Sequence, residues 1–201
     1  MEIELQGIGK KFYGRWLFRN LNKQLKTGDR IALVGSNGSG KSTLLRIIAG
    51  QMQASEGKLS YSLEGKKIDP ELFFRQISWS GPYVELYQDL SFAEHLRLHF
   101  RFRKCLLESK DEVIELLQLG PHRDKKLRFY SSGMLQRAKV GLALFTQSEV
   151  LMLDEPTSNM DRDNARRILG LLESHLGDRI FILASNMERE FGSFSNILRL
   201  S

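Results

Sequence analysis

The 201 residues carry 41% hydrophobic and 27% charged side chains with a net charge of +6, an ordinary globular balance for one domain, or one domain with a sub-domain insertion. Such a length buries a sizeable core without disulfides or metals, and the single cysteine, Cys105, excludes an internal disulfide. Met1 to Leu5 lack a secretory-signal pattern, and no apolar run approaches the roughly 18 to 20 residues needed to span a bilayer, so any membrane role is expected to come through a partner or a surface contact.

Alternation at Ile3 and Leu5, then at Leu17, Leu21 and Leu25, predicts short half-exposed strands. The turn Lys26-Thr27-Gly28-Asp29 leads into Ile31-Ala32-Leu33-Val34, apolar on both faces and hence a buried strand. After a glycine-rich loop, Leu44, Leu45, Ile47 and Ile48 have helical spacing, with Gly50 as a stop. Gly57 to Leu63 and Gln76 to Trp79 read as strands. From Phe92 to about Leu119, amphipathic helices are marked by Leu96, Phe100, Val113, Leu116 and Leu117, ending at Gly120-Pro121. Val150 to Leu153 and Ile180 to Ala184 are further buried strands, separated by a helix from about Asp161 to His175.

The alternation predicts an α/β fold around a mostly parallel sheet, with a helical insert over roughly 83–145 and a ligand at the carboxyl ends of the strands. The basic clusters at Arg97 to Lys104 and Arg123 to Arg128 read as solvated helix faces, not a nucleic-acid surface. His95 and His99, i and i+4 beside Glu94, also read as a surface face, because no third metal ligand is evident. Phe73, Phe74, Trp79, Phe100 and Phe102 read as packing the core or sub-domain contacts, with the edge of a partner groove as the alternative for some of them.

Gly35-Ser36-Asn37-Gly38-Ser39-Gly40-Lys41-Ser42, followed by Thr43, fits G-x-x-x-x-G-K-[ST] between a strand and a helix. Its glycines let backbone N–H groups converge on phosphate oxygens, and the helix adds its positive end. Lys41 is expected on the β- and γ-phosphates and the Ser42 hydroxyl on Mg²⁺. The strand Val150–Leu153 delivers Asp154 and Glu155 to its carboxyl edge. Asp154 is assigned to the metal and Glu155 to the attacking water. Tyr130-Ser131-Ser132-Gly133-Met134-Leu135-Gln136-Arg137 reads physically as a helix start, with Ser131 or Ser132 as its cap.

Together these segments resemble the ATP-binding-cassette ATPases over nearly the whole chain. Segment 130–137 is similar to the family signature Leu-Ser-Gly-Gly-Gln-x-Gln-Arg, with Tyr130, Ser132 and Met134 departing from it. The resemblance implies the P-loop NTPase fold with an antiparallel N-terminal β sub-domain and a helical sub-domain. It also implies ATP and Mg²⁺ as ligands, with Ser131, Ser132 and Gly133 completing the site of a second cassette. It matches Asp161 to a loop that couples two sites, and Tyr13 to the aromatic residue that stacks on adenine, with Phe12 as a substitute.

The implied partners are a second cassette, identical or not, and a membrane permease. That places the chain on the cytoplasmic face, where it resembles small bacterial export-type subunits; nucleic acid is not an expected partner. A soluble cassette ATPase of translation or DNA repair, and a weakly active partner in a heterodimer, are the alternatives. Two positions depart from the family. Asn186 stands where a histidine is usual, which implies slower hydrolysis. Pro82 stands where a glutamine is usual, and Glu85 and Gln88 are equal candidates to replace it.

Overall fold

Alternating burial along the first strands sets the architecture of the computed structural model, which describes residues 1–192 and 194–200. Strands β1 (Glu2–Phe12) and β2 (Arg15–Lys26) pair antiparallel through the two-residue turn Tyr13-Gly14. Both turn residues have positive φ (50° and 80°), the twist that matches a two-residue hairpin. Strands β4 (Glu56–Leu63) and β5 (Lys66–Lys67) complete a four-stranded sheet in the order β2-β1-β4-β5. The first two strands are longer than the sequence spacing suggests. Register shifts between Leu5 and Lys11 interrupt the alternation without ending the ladder.

The second sheet is built from the apolar runs. Strands β3 (Arg30–Val34), β7 (Val150–Asp154) and β8 (Ile180–Ser185) are parallel, and Ile31–Val34 and every residue of β7 and β8 are buried. Their continuous hydrophobicity is what burial on both faces demands. The short strand β9 (Ile197–Arg199) runs parallel beside β3. With β6 (Ile77–Ser80) the order is β6-β7-β8-β3-β9. Helix α1 (Lys41–Ile48) follows β3 and packs on β7 and β8.

The chain divides into two units. The first comprises Met1–Ile77, Ser148–Asp154 and Asp178–Ser201; the second comprises Ser78–Gln147 and Glu155–Gly177. The second unit is helical, and side-chain caps start each of its main helices. Ser91 and Glu94 form a reciprocal capping box on α2 (Phe92–Phe102), and Ser109 caps α3 (Lys110–Leu116). Ser131 caps α4 (Ser132–Leu144), and Asp161 caps α5 (Arg162–His175). Its core includes Phe92, Leu96, Val113, Leu117, Leu127, Ala138, Leu142 and Phe145.

Two expectations are corrected here. His95 and His99 do not lie on a surface face. His95 is buried, and His99 Nε2 lies 2.8 Å from Thr146 Oγ1, with desolvation pushing its ring down to about 4. Both share the inward stripe of α2 with Phe92 and Leu96, which overrides the polarity of the imidazoles. Of the five aromatic residues read as packing, Phe73 is fully buried and stacks on Tyr61 at 3.8 Å. Phe74 and Phe102 instead are 57% and 80% exposed.

Candidate functional site

The phosphate loop grows directly from β3, and its conformation requires glycine. A Cβ on Gly35 would lie 2.4 Å from the backbone oxygen of Leu200. At Gly40, φ is 100° and a Cβ would lie 2.7 Å from the Leu17 side chain. Gly40 is also the N-cap of α1. It supplies no side-chain cap and the first turn holds no acid, so neither the cap nor the first turn of this helix neutralises its positive end.

Lys41 is 5% exposed, and its ammonium donates to the carbonyls of Gly35 at 2.8 Å and Ser36 at 3.1 Å. The buried Ser39 hydroxyl has no hydrogen-bond partner among the described residues. A buried cation, an uncapped helix start and an orphaned hydroxyl form a cradle that fits a polyanion. Ser42 and Thr43 follow on the first turn, half-buried.

Three more of the sequence-derived residues belong to this same unit. Asp154 closes β7 with 1% of its surface exposed. Asn186 follows the carboxyl end of β8 and its amide donates to Asn37 Oδ1 at 3.0 Å, tying the last core strand to the phosphate loop. Tyr13, on the hairpin turn, is fully exposed, whereas Phe12 is 43% exposed. The exposed ring is available to stack on a planar ligand.

The second unit carries Glu155, the 130–137 segment and Asp161. Ser131 is the cap, accepting from the Met134 N–H at 3.2 Å, while Ser131 and Ser132 both stay exposed. Tyr130 departs from the family leucine for a structural reason. Its buried ring donates through its hydroxyl to the His122 carbonyl at 2.8 Å, and desolvation pushes the phenol up to about 12. Glu155 is half-buried with φ of 50°, a left-handed backbone on a non-glycine residue. Asp161 accepts from the Asn164 N–H at 2.8 Å, and that bond holds its carboxyl below the usual range. Pro82 and Glu85 are exposed, and Gln88 donates to the Leu86 carbonyl at 3.3 Å. The sequence reading gave Gln136 no role, yet its amide reaches the Glu155 carbonyl at 3.1 Å.

Comparison with known proteins agrees with this geometry. A family model described as ABC transporter matches residues 18–158. The chain is 30% identical over 198 residues to the mouse protein "ATP-binding cassette sub-family A member 17", covering 94% of this chain and 11% of that protein. It is 33% identical over 163 residues to the "Maltose/maltodextrin import ATP-binding protein MalK" of Mannheimia succiniciproducens, covering 79% of this chain and 44% of that protein. The chain thus spans less than half the length of either relative. Among solved structures, the cassette MJ0796, a dimer bound to ADP and Pi, superposes with a TM-score of 0.82 at 22% identity, covering 99% of this chain and 94% of that one. With more than half of its length matched by the family model, the chain belongs to the ABC transporter family, as an ATP-binding cassette.

Proposed function

We propose that the chain hydrolyses ATP as one of two cassettes that drive a separate membrane permease from the cytoplasmic face. The observation that carries this reading is the cradle of Gly35 to Thr43, with its buried Lys41, uncapped helix and unpartnered Ser39 hydroxyl. Lys41 exchanges its two carbonyl partners for the β- and γ-phosphates. Ser42 and Asp154 hold Mg²⁺. A hydroxyl and a carboxylate are oxygen donors of the kind a hard divalent cation takes, and such an ion would be completed by water and phosphate oxygens. Bound there, the ion supplies charge neutralisation on the phosphates. Glu155 orients and deprotonates water, and Tyr13 stacks on the adenine. The start of α4, with exposed Ser131 and Ser132 and half-buried Gly133, faces the nucleotide of the second cassette, and Asp161 couples the two sites.

The permease is tested by gentle detergent extraction of the tagged chain from its native host. A co-purifying multispan membrane protein is the expected outcome; ribosomes or DNA in its place would favour a soluble cassette function.

Asn186 tunes the rate. An asparagine amide can donate to a phosphate but brings no charge, and here one of its two N–H groups is engaged with Asn37 Oδ1. Asn186→His is expected to raise steady-state turnover by up to about tenfold, the effect of a charge-assisted bond gained late in the reaction. An unchanged or lower rate in a phosphate-release assay would show that position 186 does not face the reacting phosphate.

A further inference from the structure

Glu155 adopts a conformation that its own sequence opposes. A φ of 50° is sparsely populated for any residue with a Cβ, and the following residue, Pro156, further biases its predecessor towards extended backbone. Such a geometry persists only where neighbours over-determine it. Within the second unit the neighbours are identifiable. Gln136, on the second turn of α4, donates through one Nε2 to two successive carbonyls, Glu155 at 3.1 Å and Pro156 at 3.3 Å. The Ser158 N–H adds a turn bond to the same Glu155 carbonyl at 3.2 Å.

The loop beyond is held by the same helix. Asn159 repeats the left-handed backbone with φ of 61°, and its carbonyl sits where a Cβ on Gly133 would come within 2.9 Å. Arg137 closes the far end, donating to Asn164 at 2.8 Å beside the Asp161 cap.

We infer that Gln136 is a positioning residue for Glu155: its amide clasps the strained 155–156 backbone and thereby fixes the direction of the Glu155 carboxylate. This rests on the reading of Glu155 as the residue that acts on water. Among the described residues both bonds of the Gln136 amide go to backbone carbonyls, so it acts on the rate through Glu155. When the amide is removed, the 155–156 backbone relaxes towards the extended form that Pro156 favours, and the carboxylate turns away from the water. An error of position of this kind lowers the chemical step and leaves nucleotide binding unchanged.

The test uses the full chain with Gln136→Met, which keeps length and helix preference but lacks donors, and Gln136→Glu, which sets a carboxylate against two carbonyls. The expected result is a kcat lowered about tenfold in the methionine variant and further in the glutamate variant, with KM for MgATP within about twofold of the parent. Nucleotide-free protein provides a readout independent of turnover: the Ser158 and Met160 amides are expected to exchange with deuterium faster in both variants, with the rest of α4 unchanged. Unaltered kcat and unaltered exchange would overturn the clasp. So would a loss of kcat accompanied by accelerated exchange throughout the second unit, which marks a general structural role. Glu155→Gln, run in parallel, separates the two ideas. If that variant keeps full turnover, the assignment of Glu155 fails; if it is inactive while Gln136→Met matches the parent, only the clasp fails.

Discussion

Glu155→Gln is expected to lower ATP turnover by about 10²- to 10⁴-fold, the usual contribution of a positioned general base, while ATP stays bound. Glutamine keeps the size and the backbone preference of glutamate, so the left-handed turn at residue 155 and its bond from Gln136 persist. What disappears is the ability to accept a proton. Because binding is untouched and hydrolysis is not, the variant is expected to accumulate as an ATP-bound dimer in size-exclusion chromatography. A monomer turning over at the parental rate would refute the role assigned to Glu155.

Lys41→Ala removes the only side chain of the cradle that carries full positive charge. The Lys41 ammonium donates to two carbonyls, at 2.8 and 3.1 Å, and the residue is 5% exposed. Its transfer to phosphate therefore exchanges hydrogen bonds inside a low-dielectric site and does not require stripping water from the amine. A bond to a charged group is worth about 1.5–3 kcal/mol, so affinity for ATP is expected to fall about 10- to 100-fold, read by calorimetric titration. Alanine is the residue most compatible with a helix, so the thermal midpoint is expected to change little.

What could be read from the sequence followed the density of its local rules. The strand–glycine loop–helix succession of residues 31–48 carries apolar runs, glycines and a lysine at fixed offsets, and each feature has one physical reading. The strands β7 and β8 were equally legible, since burial on both faces leaves uninterrupted apolar runs. The β1–β2 hairpin was less so, because the shifts near Ile8 and Lys10 break a period of two. Strand β9, only three residues long, offers too few positions to show any period.

Side-chain environments were harder still. The histidines of α2 read as a surface face for want of a third metal ligand, but the positions of Phe92, His95, Leu96 and His99 put them on one stripe, and packing decided the outcome. Phe102 shows the converse, an aromatic residue that the fold leaves outside. At the site, the identities of Lys41, Asp154 and Glu155 follow from motif and strand edge. The left-handed backbone at Glu155 and the reach of Gln136 depend on where a loop folds back against a helix, and no local pattern encodes that approach.

The central claim is that the cradle between β3 and α1 grips the phosphate chain of a nucleotide. Its most direct test is calorimetric titration of the purified parent chain with ATP and with AMP, in excess Mg²⁺. The account predicts saturable binding of ATP, weakened by Lys41→Ala, and no measurable binding of AMP. Equal binding of the two nucleotides, or ATP affinity indifferent to Lys41, would contradict it.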